Sequence, residues 1–124
     1  MDCYSGKIYH VRYNDKVLHA VMIIEYDQPV QKRAKLILQE AGYHEFVDPN
    51  THKVSYVLRL GREFYPRFHV YITKDINGDL EYDLHIDQKK ASYEGSRAHS
   101  GEYDGAIVQE EAERLLRWLN HYTA

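Results

Sequence analysis

Apolar residues recur along this chain with two different periods, and the switches between them outline a fold. Tyr9, Val11 and Tyr13 alternate with polar neighbours, which predicts a strand. Asn14-Asp15 offers a turn, and residues 17–26 form a second, longer strand that is apolar on both faces and therefore interior to a sheet. A two-residue turn would set Tyr13 opposite Lys16, Val11 opposite Leu18 and His10 opposite His19.

Helical spacing follows. Val30, Ala34, Ile37, Leu38 and Ala41 fall on one side of a helix, with Lys32, Arg33, Lys35 and Gln39 on the other. Asp27 is the expected N-cap, Pro29 suits the first turn and Gly42 is a natural stop. Period two then returns: a short strand over 44–47, a type I turn at Asp48-Pro49-Asn50-Thr51, and a strand carrying Val54, Tyr56, Leu58 and Leu60 on one face. Residues 61–65 reverse the chain before Phe68, Val70 and Ile72, and residues 79–87 supply Tyr82, Leu84 and Ile86. The last element is a helix over 106–121, striped by Val108, Ala112, Leu115, Leu116 and Leu119, with Asp104 as its expected N-cap. This order predicts one α+β domain spanning 1–124: a mostly antiparallel sheet of about five to six strands with two amphipathic helices packed on it.

The hairpin over 67–87 can be registered from its pattern alone. Its apolar faces use even numbers on both strands, so paired residue numbers must sum to an even number. An Asn77-Gly78 turn makes that sum odd. A three-residue loop, Ile76-Asn77-Gly78, is therefore expected. Phe68 then faces Ile86, Val70 faces Leu84 and Ile72 faces Tyr82. On the opposite face Arg67 meets Asp87, His69 meets His85 and Tyr71 meets Asp83, close enough for side chains to touch. Asp75, Asn77 and Asp79 suggest a calcium loop, but the sixth loop position is Leu80 rather than Gly and the twelfth is Ile86 rather than Glu.

Composition adjusts this picture in three ways. The chain is 44% hydrophobic and 28% charged, which argues against a disordered polypeptide. Its formal net charge of −3 supplies no field to draw it to polyanions, and few basic residues flank the tyrosines, so nucleic acid is not an indicated partner. The single cysteine, Cys3, rules out an internal disulfide. The polar start is unlike a signal peptide, and the longest apolar run, residues 20–24, is far below membrane-spanning length, so a reducing cytoplasmic setting is expected.

Twelve Tyr and eight His stand beside one Trp and three Phe, and only position can decide whether that bias carries chemistry. Three readings attach to the polar face of the 67–87 hairpin. His69, His85 and Asp87, completed by His99 or Glu102, are a donor set suited to zinc or iron. Alternatively His69 and His85 act as an acid–base pair on a phosphodiester or ester, their proton affinities split by proximity. The third reading is an ordinary solvated face, with Arg67–Asp87 a surface ion pair. Residues 88–104 are long and without period, and Lys89, Arg97 and His99 within them are candidate ligand contacts alongside Arg67 and Tyr71. The leading expectation is a binding or accessory module using the hairpin's polar face and the 88–104 loop, for a small molecule or a protein. A small metal-dependent or His/His hydrolase is the alternative. Edge-strand pairing into a homo-oligomer is a further expectation. No Ser-His-Asp elbow, phosphate loop or dinucleotide fingerprint is visible. His10, His19, His44, His52 and His121 receive no role.

Overall fold

The computed structural model describes residues 7–8, 12–14, 17–88 and 105–123, with side chains over 21–88 and 106–123. The elements run β1 (Lys7–Ile8), β2 (Arg12–Asn14), β3 (Val17–Tyr26), α1 (Ala34–Glu40), β4 (His44–Val47), β5 (Val54–Arg59), β6 (Arg67–Ile76), β7 (Asp79–Asp87) and α2 (Gly105–His121). Five strands in the order β3-β7-β6-β5-β4 make one antiparallel sheet, and the short β1 and β2 both lie along the outer edge of β3. The fold is α+β, as the sequence pattern predicts. Among the described residues no helix is long and apolar enough to cross a membrane.

Alternation decides what faces what. Met22, Ile24 and Tyr26 on β3, Tyr56 on β5, Phe68 and Val70 on β6, and Leu80, Tyr82, Leu84 and Ile86 on β7 are buried together. Ile37 and Leu38 of α1 and Val108, Ala112, Leu115, Leu116 and Leu119 of α2 complete that core, so both helices cover the same face of the sheet. Among the described residues the other face carries no helix.

The register of β6 with β7 puts Phe68 opposite Ile86, Val70 opposite Leu84 and Ile72 opposite Tyr82, as expected. The turn differs from expectation. Ile76 pairs with Asp79, so Asn77-Gly78 forms the two-residue loop, and Gly78 takes φ 92°. An irregularity between Ile72 and Lys74 places Thr73 as the extra residue and restores the alternation. The strongly favoured Asn-Gly turn prevails, and a bulge absorbs its parity conflict.

Two other expectations are corrected. Tyr13 pairs with Ala20 and Arg12 with Val21, so the described part of the first hairpin does not adopt the register that set His10 opposite His19. His10 lies outside the described residues. Helix α1 begins at Ala34 rather than just after Asp27, because Val30 and Gln31 are drawn into other bonds. Val30 bridges to Thr123, its N–H donates to Asn77 Oδ1 at 2.8 Å, and Gln31 N–H donates to Tyr122 O at 2.8 Å. Gly42 ends the helix as expected, at φ 107°, and Tyr43 N–H reaches back to Leu38 O at 3.0 Å.

Buried tyrosines stitch the layers together through their hydroxyls. Tyr82 donates to Ala34 O at 2.7 Å and Tyr26 donates to Asn120 Oδ1 at 2.8 Å. Tyr43 donates to Glu111 Oε2 at 2.5 Å. Glu111, only 6% exposed, also accepts from Arg114 Nε at 2.7 Å and Nη2 at 2.8 Å, and the same Nη2 caps the α1 carbonyl of Ala41 at 2.9 Å. Burial, then the Glu111 charge, pushes the Tyr43 phenol well above its ordinary value. Removing Glu111 orphans two donors at once. Glu111→Ala should cost about 2–3 kcal/mol in urea unfolding and Glu111→Gln clearly less; a loss within experimental error for Glu111→Ala would contradict this clamp.

Candidate functional site

The helix-free face of β5, β6 and β7 collects the polar residues of those strands by the same alternation that builds the core. Arg67 lies opposite Asp87, His69 opposite His85 and Tyr71 opposite Asp83, the three cross-strand pairs that the sequence predicts. The rings gather. His69 and His85 stack at 5.2 Å with planes 11° apart, and Tyr71 lies 4.8 Å from His69 and 5.5 Å from His85.

A hydrogen-bond chain that includes the His69 ring runs across three strands. His69 Nδ1 donates to Asp87 Oδ2 at 2.8 Å, and His69 Nε2 lies 2.7 Å from Ser55 Oγ. Arg67 Nε donates to the same Asp87 oxygen at 3.3 Å. Carboxylate oxygens only accept, so the neutral ring carries its proton on Nδ1 and takes the Ser55 hydroxyl proton at Nε2. Ser55 is 1% exposed, Arg67 6% and His69 9%. Groups this buried are costly unless bonded, and here each has a partner.

Burial works to raise the Asp87 pKa, but the hydrogen bond from His69 and the charges of His69, His85 and Arg67 outweigh it. The carboxyl is held below its ordinary value. The Tyr71 phenol is raised, first by burial and then by Asp87, Asp48 and Asp83. Lys53 Nζ sits over the Tyr71 ring, 4.4 Å from its centroid. One oxygen of Asp83, Oδ1, is buried with no hydrogen-bond partner among the described residues.

Ser55 is the member that sequence reasoning missed. Part of its signal was available: Val54, Tyr56 and Leu58 alternate, which sends Ser55 to the opposite face, but that β5 lies beside β6 with Val57 opposite His69 is visible only in the fold. The arrangement also revises what His69 can do. Both ring nitrogens are engaged, so neither is open to a zinc or iron ion, or to a substrate proton, without breaking a short bond. Among the described residues no group of three or more His, Cys, Asp or Glu could hold a metal ion. Lys89, Arg97, His99 and Glu102 lie outside the described residues, as does nearly all of the 88–104 segment.

Two open cavities, of about 300 Å³ beside Val30–Ala34 and Asp75–Leu80 and about 280 Å³ beside Arg114, Arg117, Trp118 and His121, lie away from the ring cluster. No protein family, curated protein or solved structure matches this chain.

The Asp87 bonds carry a pH dependence whose sign is determined. Its pKa is lowered on folding, so its stabilisation is present above the unfolded-state value and is lost as pH falls through the folded-state value. Asp87→Asn should therefore lower stability at neutral pH and flatten the decline between about pH 5 and pH 2. Parallel acid-unfolding curves for the two proteins would contradict the assignment.

Proposed function

We propose that the chain is a binding module whose ligand lies on the helix-free face of the sheet, over Tyr71, Asp83 and His85. The observation that carries this reading is the three-ring cluster on a floor made rigid by the Ser55–His69–Asp87–Arg67 chain. Rings held in place by hydrogen-bonded polar groups are pre-organised, and a planar ligand packs against such a cluster with little ordering cost. The orphaned Asp83 oxygen adds an acceptor for a ligand donor once its cover shifts. The ligand class is a small planar molecule or a partner that presents one. A reducing cytoplasmic setting suits the lone Cys3.

A second reading, ester hydrolysis, is favoured by one observation. Ser55, His69 and Asp87 are ordered as a nucleophile, a base and its orienting carboxylate, with bonds of 2.7 and 2.8 Å. It stays second because Ser55 is sealed from solvent, where its oxygen cannot meet a substrate.

Amide spectra recorded against a library of planar heteroaromatic fragments at millimolar concentration test the first reading. Shifts should concentrate on Tyr71, Asp83 and His85 and should vanish in Tyr71→Ala. Shifts scattered over the surface, or unchanged in Tyr71→Ala, would remove the platform.

A further inference from the structure

The reversal between β5 and β6 concentrates charge that the composition hides. Three of the chain's eight arginines, Arg59, Arg62 and Arg67, fall within nine residues, with Glu63 as the single acid among them. Arg59 and Arg67 are direct cross-strand partners. Like charges at opposed positions repel, so this pairing is unfavourable unless something anionic relieves it. Asp87 relieves Arg67. Arg59 and Arg62 are exposed and neither makes an ion pair among the described residues.

Aromatic rings are interleaved with these cations. Phe64 is 44% exposed, and its centroid is 5.3 Å from the Arg59 guanidinium and 4.4 Å from that of Arg67. Tyr65 packs edge-on against Phe64 at 4.8 Å. Along β6 the same face continues from Arg67 to His69 and Tyr71, about 13 Å at the usual rise per strand residue. An exposed ring held beside the Arg59 guanidinium, which has no ion pair among the described residues, with Arg62 in the adjoining turn and a three-ring cluster further along the same face, is a combination that suits a flexible polyanion carrying flat bases.

We infer that this face binds single-stranded nucleic acid, with Arg59 and Arg62 on its phosphates, a base on Phe64 and further bases over Tyr71 and His85. The inference deepens the binding reading above and rests on it for the Tyr71 end of the track. Arg59, Arg62 and Phe64 form an end that can fail or stand separately. Acids elsewhere on the chain are largely screened beyond a Debye length of about 8–10 Å, whereas Asp48, Asp83 and Asp87, which act on Tyr71, confine the phosphates to the arginine end of the track.

Fluorescence anisotropy with labelled oligo(dT) and oligo(U) is the test, on the full chain. Binding should weaken on the order of tenfold when salt is raised about sixfold, as two released counterions require. The double variant Arg59→Glu, Arg62→Glu should weaken it tenfold or more, and Phe64→Ala fivefold or more, with unchanged circular dichroism. Should Tyr71→Ala bind as tightly as wild type, the arginine end stands and the platform's part is overturned. Absence of oligonucleotide binding, while planar fragments still shift Tyr71, overturns this inference and leaves the platform. Equal affinity for heparin that resists Phe64→Ala, or binding to phosphatidylserine vesicles alone, also overturns it.

Discussion

The pairing of β6 with β7 governs the molecule. With Val70 opposite Leu84 and Phe68 opposite Ile86, every even-numbered side chain of that hairpin's core half enters the space under the helices. A slip of one residue would exchange the two faces completely, driving Arg67, His69 and Asp87 into the core and Val70 and Leu84 out of it. A one-residue slip is therefore strongly disfavoured. The same constraint assembles the polar site, since odd-numbered residues have nowhere else to go. Core and site are two consequences of one alignment.

What the alignment delivers to the second face would be unfavourable if left unbonded. An arginine, a histidine and a serine are all buried there. Each finds a partner on an adjacent strand, and the chain from Ser55 through His69 to Asp87 links β5, β6 and β7 with side chains as well as with ladder bonds. The tyrosines do the same work on the helical side, where Tyr26, Tyr43 and Tyr82 bury their rings and spend their hydroxyls on helix groups. This is a physical reason for a chain with many Tyr and few Phe. Its two layers meet across hydrogen bonds as well as oily contacts.

Local alternation made the second half of the fold legible in the sequence. Residues 79–87 form a strand with the expected ends, and the Arg67–Asp87, His69–His85 and Tyr71–Asp83 pairs follow from parity. Where two local rules compete, pattern alone misjudges the winner. At Ile76 to Asp79 turn chemistry prevails over parity and a bulge at Thr73 reconciles them. At Val30 to Arg33 helical spacing yields to bonds with Asn77, Tyr122 and Thr123, partners distant in the chain. Ser55 escaped notice because its role depends on β5 lying beside β6, a tertiary fact. The arginine cluster escaped because composition averages over the chain what the reversal after β5 brings together.

The Asp87–His69–Ser55 chain ties β5, β6 and β7 together through side chains and underlies the proposed surface. Nitrogen-15 NMR of the histidine rings in mildly alkaline solution reads it directly. His69 is expected to hold its proton on Nδ1, slowly exchanging, and Asp87→Asn to disturb this signal. A His69 protonated on Nε2, or interconverting freely between tautomers, would contradict it.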